Sequence, residues 1–289
     1  MFKYLNFIVI PPLRKYIFPL LILLSITSFK KKEITWVAIG DSITYLNDHP
    51  SETGNRVRKG YLTRVVEKMP YLHYINQGHN GWTAGNIAEQ IDSLGLIKAD
   101  MYSIFLGTND WWAGRHIGTL EDYQYGEGNL SICGSFRIII DKIRQLNPNA
   151  RIFLITPMQR LDFVYIADKN NNAYGSYKSK NGQMLEQVAN AIIKIGNLEK
   201  IPVIDLYHDK RLSPQNLIKF KRVRDPATGN YANYTYPFLN NTIFNPVTDD
   251  YPYPVEAINL TYDGLHPSDK GNAIIAKRIV QLIKQFDFN

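Results

Sequence analysis

The sequence predicts a three-layer α/β/α domain built around a five-stranded parallel sheet. Two observations carry that expectation. From residue 34 onward, short apolar runs rich in β-branched residues alternate with amphipathic helical stretches, and compact runs of this kind suit strands covered on both faces. The chain also has 289 residues, 45% of them hydrophobic, with a single cysteine. At roughly 100–200 residues per domain it forms one large domain or two small ones. Either can bury a full core without disulfides or structural metals. The composition excludes disorder, a collagen-like repeat and a cysteine-stapled mini-protein.

The first segment reads as an address. Arg14 and Lys15 precede an apolar run from Tyr16 to Phe29, about the length of a signal-peptide core and short for a membrane span of ~20 residues. Residues 1–32 are therefore expected to be a signal peptide or an N-terminal anchor, and the protein to be exported (periplasmic, extracellular or at the cell surface). The stretch Phe7-Ile-Val-Ile10, broken by Pro11-Pro12, keeps an uncleaved anchor open. No cysteine follows the apolar run, so a lipoprotein anchor is not expected.

The strands are expected at Ile34–Ile39, Leu72–Asn76, Tyr102–Leu106, Ile152–Ile155 and Val203–Leu206. Between them, Phe136, Ile139, Ile140, Ile143 and Leu146 share one helical face, as do Leu185, Val188, Ile192 and Ile195. Cys133 lies in this apolar pattern and reads as a small core residue. The last helix has Ser268 as N-cap, followed by Ile275, Ile279, Leu282 and Phe286. Strand–helix alternation of this kind gives a doubly wound domain, 33–289. One stretch breaks the rhythm: residues 207–262 are rich in Tyr, Pro and Asn, show no convincing strand or long helix, and read as an insertion loop.

In doubly wound sheets, ligands sit at the carboxyl ends of the strands, so the motifs there matter most. The first strand runs into Gly40-Asp41-Ser42-Ile43-Thr44, which places a serine at the top of the sheet. The second leads into Asn76-Gln-Gly-His-Asn-Gly81-Trp-Thr83, where a glycine presents its N–H with no side chain in the way. The third ends in Gly107-Thr108-Asn109-Asp110, aiming an amide at the same crevice. Asp263-Gly264-Leu265-His266-Pro267 precedes the last helix. A nucleophilic serine needs a base within reach and a group that fixes the base's tautomer. The Asp263–His266 spacing on a tight turn suits that pair. Taken singly, each block is an ordinary turn or cap. A metal at the last block is disfavoured because no second histidine sits at ligand spacing.

Together, in this order, the four blocks resemble the GDSL-like or SGNH hydrolase family, with Ser42, Gly81, Asn109 and His266 matching its four name-giving residues. The resemblance spans residues 34–286. It implies a flavodoxin-like fold and hydrolysis of carboxylic esters without a cofactor. By the family's pattern Ser42 is the nucleophile, His266 the base and Asp263 its orienter. The Ser42 N–H, the Gly81 N–H and the Asn109 side chain form the oxyanion hole. Ile43 replaces the family's leucine, and the 207–262 connection is longer than the family's minimal version.

Trp82, Trp111 and Trp112 flank these blocks and are candidate substrate-binding residues, because indoles stack on sugar rings; filling the core beneath long loops is their commoner fate. An exported enzyme with an aromatic cleft suggests a carbohydrate (acetyl) esterase. The alternatives are a lipid esterase or lysophospholipase of the same family, or a non-catalytic carbohydrate-binding protein. The net charge of +7 raises nucleic acid as a partner, but Lys3, Arg14, Lys15, Lys30, Lys31 and Lys32 account for most of it. Without those six, 27 basic residues face 26 acidic ones, a net of +1. Nucleic-acid binding is therefore not expected; the patch Lys219-Phe-Lys221-Arg222-Val-Arg224 reads as a solvated face.

Overall fold

The computed structural model describes residues 32–288 apart from 127 and 226, so the N-terminal address segment lies outside the described residues. The strands in chain order are β1 (Ile34–Gly40), β2 (Leu72–Gly78), β3 (Met101–Phe105), β4 (Arg151–Ile155), β5 (Phe163–Val164), β6 (Asn172–Ala173), β7 (Val203–Ile204), β8 (Lys221–Arg224) and β9 (Tyr231–Tyr234). The helices are α1 (Ser42–Tyr45), α2 (Tyr61–Lys68), α3 (Ala84–Glu89), α4 (Thr108–Trp112), α5 (Leu120–Tyr125), α6 (Ile132–Leu146), α7 (Leu185–Glu199), α8 (Pro214–Leu217) and α9 (Asp269–Ile283). Five strands pair in the order β2-β1-β3-β4-β7, all parallel, giving the expected α/β sheet.

Alternation along each strand builds the three layers. On β1, Trp36 and Ala38 face one core with the helices α2 and α9, while Val37 and Ile39 face the other with α3, α6 and α7. Strand β3 divides in the same way: Met101 and Phe105 point to the first core, Tyr102 and Ile104 to the second. The indole of Trp36 is fully buried, and its Nε1 donates to Ser103 Oγ at 2.9 Å, so the apolar ring is covered without stranding its N–H. The helical faces predicted from spacing are the buried ones: Phe136, Ile139, Ile140 and Ile143 on α6, and Leu185, Val188, Ile192 and Ile195 on α7. Cys133 is buried on α6. Ser268 caps α9, its Oγ accepting from Lys270 N and Gly271 N.

The 207–262 stretch is not free of strands. β8 and β9 pair as an antiparallel hairpin, with Lys221 opposite Tyr234 and Arg224 opposite Tyr231. The pattern hid it because the inward residues of β8 are Lys221 and Val223, and a buried lysine reads as surface. Lys221 Nζ meets Asp162 Oδ2 at 2.7 Å and the Thr242 carbonyl at 2.8 Å, so the basic patch is only partly solvated. The stretch also supplies Leu212, Leu217, Ile218, Leu239, Tyr253, Ala257 and Leu260 to the first core. No helix among the described residues is long and apolar enough to cross a membrane.

The order β2-β1-β3 puts a topological switch point between β1 and β3, where a crevice opens at the carboxyl ends. Ser42 follows β1 and Asn109 follows β3, so both reach that crevice from the backbone's course alone.

Candidate active site

Ser42 opens α1 immediately after β1. Asp41 caps the helix, its Oδ1 accepting from Ile43 N at 3.0 Å. The turn is tight enough to demand glycine beneath it: a Cβ on Gly40 would lie 2.1 Å from Thr44 Oγ1, and one on Gly78 would lie 2.2 Å from Tyr45 N. Asn76, at the end of β2, donates through Nδ2 to the Thr44 carbonyl at 3.0 Å and so ties the second strand end to α1.

The Asp263–His266 turn approaches from the far end of the chain. Asp263 is fully buried; its Oδ1 accepts from the Leu265 and His266 N–H groups at 3.0 and 2.7 Å, and its Oδ2 meets His266 Nδ1 at 2.7 Å. His266 Nε2 lies 2.8 Å from Ser42 Oγ. Serine, histidine and aspartate thus form one unbroken hydrogen-bonded line across 224 residues of sequence. The imidazole is held on two further sides, by Phe163 edge-on at 5.4 Å and by Tyr262 stacked at 5.8 Å. Gly264 (φ +90°) lets the turn press against the β5 segment, where the Gly264 carbonyl accepts from Leu161 N at 2.9 Å; a Cβ would lie 2.0 Å from the Asp162 carbonyl.

Ser42, Gly81, Asn109 and His266 all line one cavity of about 300 Å³. Gly81 has φ +77°, and a Cβ there would meet nothing within 4 Å, so its open side faces free space. Asn109 Nδ2 donates one N–H to the Trp82 carbonyl at 3.0 Å, which orients the amide and leaves its second hydrogen for the cavity. Among the described residues, neither the Ser42 N–H nor the Gly81 N–H has a protein acceptor. Chemically, a serine oxygen backed by a histidine–carboxylate pair, facing unspent N–H donors, can attack a carbonyl and hold the resulting oxyanion.

Asp110 joins the blocks. It is fully buried, and both its carboxylate oxygens lie within 3.0 Å of Ala84 N at the start of α3, with the Arg115 Nε 3.5 Å away. Burial pushes the Asp110 carboxyl up to about 6, and it does the same to Asp41.

The three tryptophans part company. Trp112 lines the cavity. Trp111 does not: it is 1% exposed, sits in the second core and spends its Nε1 on the Gln183 carbonyl at 2.9 Å. Its apolar bulk is used for packing, the commoner fate of an indole beneath loops. Trp82 stacks on His79 at 4.3 Å and is absent from the cavity wall; its backbone carbonyl, not its ring, serves the site by holding Asn109. The cavity instead gains Tyr165, Asn171 and Arg160, which the sequence reading missed. Arg160 and Tyr165 follow β4, a strand end with no glycine or Asn-Asp signal to mark it, although the strand-end rule itself pointed there.

Residues 38–274 match the model of the GDSL-like Lipase/Acylhydrolase family. Among solved structures, the chain is similar to one described as "a possible lipase" from Chitinophaga pinensis, at 66% identity and a TM-score of 0.87, covering 88% of this chain and 98% of that one. It shares its fold with a Lactobacillus plantarum protein at 16% identity and a TM-score of 0.59, covering 89% of this chain and 99% of that one. No match was found among functionally curated proteins. With the family model covering most of the chain, and its four blocks gathered on one cavity, the chain belongs to the GDSL-like Lipase/Acylhydrolase family of ester-hydrolysing enzymes.

Proposed function

We propose that this chain removes short acyl groups, acetyl above all, from a carbohydrate by a two-step serine mechanism. The observation that carries the chemistry is the Asp263–His266–Ser42 line, at 2.7 and 2.8 Å, ending on a cavity that also holds Gly81 and Asn109. His266 takes the Ser42 proton as Oγ attacks the ester carbonyl. The developing oxyanion is met by the Ser42 and Gly81 N–H groups and by Asn109. The alcohol leaves with the proton from His266, and water repeats the sequence on the acyl-enzyme. Each donor of such a hole is worth ~10²–10³ in rate.

The cavity's size and lining support the acetyl–carbohydrate reading. At about 300 Å³ it is at the small end for ligand sites. Its wall mixes amides (Asn80, Asn109, Asn171) with aromatic rings (Trp112, Tyr165, Tyr262), the chemistry that hydroxyls and sugar faces meet. A lipid esterase is the second reading. It is favoured by the exposed apolar side chains Phe238, Ile243 and Val247 of the insertion, which a lipid surface would cover.

A panel of acetylated oligosaccharides and p-nitrophenyl esters of increasing chain length separates the two. The proposal expects the acetyl esters to be cleaved and activity to fall as the acyl chain grows. Robust cleavage of long-chain esters, with acetylated sugars untouched, would give the site to lipids.

A further inference from the structure

Arg160 lines the same cavity as Ser42 and His266, yet only 2% of its surface is exposed. Its backbone is pinned by Ser176, whose Oγ accepts from Arg160 N at 3.1 Å and whose own N–H donates to the Arg160 carbonyl at 2.9 Å. The guanidinium lies over the rings of Trp111 and Trp112, 5.5 and 5.6 Å from their centroids. Stacking covers its faces and leaves its hydrogen-bonding edges unmet: Nε and Nη2 are buried with no acceptor. The two carboxylates in whose field it stands are engaged elsewhere. Asp263 serves His266 and two backbone N–H groups, and Asp162 serves Lys221, Tyr177 and Gly175 N. Lys221 is the informative contrast, an equally buried cation with its carboxylate 2.7 Å away.

A buried charge without a partner is strongly unfavourable, and an arginine does not escape by losing its proton. Burial pulls this guanidinium down only to about 10, so it is charged at neutral pH. The countercharge must come from outside the protein, and the cavity is the way in. Glu52 also lines the cavity but is engaged by Tyr45 Oη at 2.8 Å.

We propose that Arg160 is a specificity residue that supplies the countercharge for a carboxylate on the substrate, so that the preferred substrate is an ester of an acidic sugar unit rather than a neutral one. This rests on the reading of the cavity as a carbohydrate-ester site. A guanidinium matches a carboxylate better than it matches a hydroxyl, in charge and in the spacing of its N–H groups. Held between two indoles, it is also already oriented.

Binding tests this independently of turnover. The Ser42→Ala protein is titrated calorimetrically with D-galacturonate and with D-galactose. The expected result is that galacturonate binds at least ~10-fold more tightly, the equivalent of one charge-assisted hydrogen bond. Adding Arg160→Gln should bring the two sugars within about twofold of each other. Equal affinity for the two sugars, or no detectable binding of galacturonate, overturns the proposal without requiring any Arg160 variant to fold. A galacturonate preference that survives in a folded Arg160→Gln protein overturns it too. If wild-type enzyme cleaves no acetylated sugar but shows the galacturonate preference and its loss with Arg160, the carbohydrate-ester reading fails while the anion site stands.

Discussion

At the scale of single residues, the site is defined by what its atoms are not already doing. Ser42 Oγ is bonded to His266 Nε2, but the Ser42 and Gly81 N–H groups are free among the described residues, and Asn109 keeps one amide hydrogen in hand. Gly81 is the most direct place to test this economy. An alanine there would meet no neighbouring atom, so any effect comes from its φ of +77°, a conformation that costs an L-residue about 1–2 kcal/mol. Gly81→Ala should therefore fold, with the loop relaxing enough to turn the N–H away from the cavity. Steady-state kinetics on p-nitrophenyl acetate should show kcat lowered by ~10² or more. A rate near wild type would remove Gly81 from the oxyanion hole. The triad candidates and the hole candidates were legible in the sequence because each is a side-chain type or a glycine at a strand end. Trp111 was misread because an indole in the core and an indole on a rim look alike until packing decides between them. Arg160 was overlooked because a single arginine after a strand carries no pattern.

At the scale of elements, the five strands and the faces of α6, α7 and α9 could be read from periodicity alone, since each is long enough or apolar enough to show one. The short hairpins could not. β5 and β6 are two residues each, and β8 places a lysine inward. In those elements the determining contacts are tertiary, above all the Lys221–Asp162 pair, which joins the insertion to the segment after β4. The insertion is part of the core rather than an appendage. Leu217, at the end of α8, is fully buried, and the Leu217 carbonyl accepts from Thr261 N at 2.8 Å, two residues before Asp263. Leu217→Ala should cost about 2–5 kcal/mol in urea unfolding, the range for a buried leucine. A loss under ~0.5 kcal/mol, the range of a surface substitution, would show that the insertion is dispensable.

At the scale of the whole molecule, the basic balance belongs mainly to residues 1–32, and the part with the site is close to neutral. Its stability should nevertheless depend on pH through two buried carboxyls. Burial holds Asp41 and Asp110 at about 6, against 3.8 for an ordinary aspartate. Between those values the folded state keeps protons that the unfolded chain has released. The contribution is therefore full below pH ~4 and is lost as the pH rises through 6, on the order of 3 kcal/mol for each group. Asp110→Asn removes one of the two titrations, so its deficit relative to wild type should be largest near pH 4 and shrink by pH 7 in urea unfolding. A deficit that stays constant across that range would mean Asp110 is not held protonated by the fold.

The central claim is that one serine of the molecule is activated, by one histidine. Intact-mass and peptide analysis after exposure to a fluorophosphonate probe tests it most directly. The account predicts a single adduct on Ser42 in the wild-type protein and labelling slowed by ~10³ or more in His266→Gln. An adduct on another residue, or His266→Gln labelling at the wild-type rate, would contradict it.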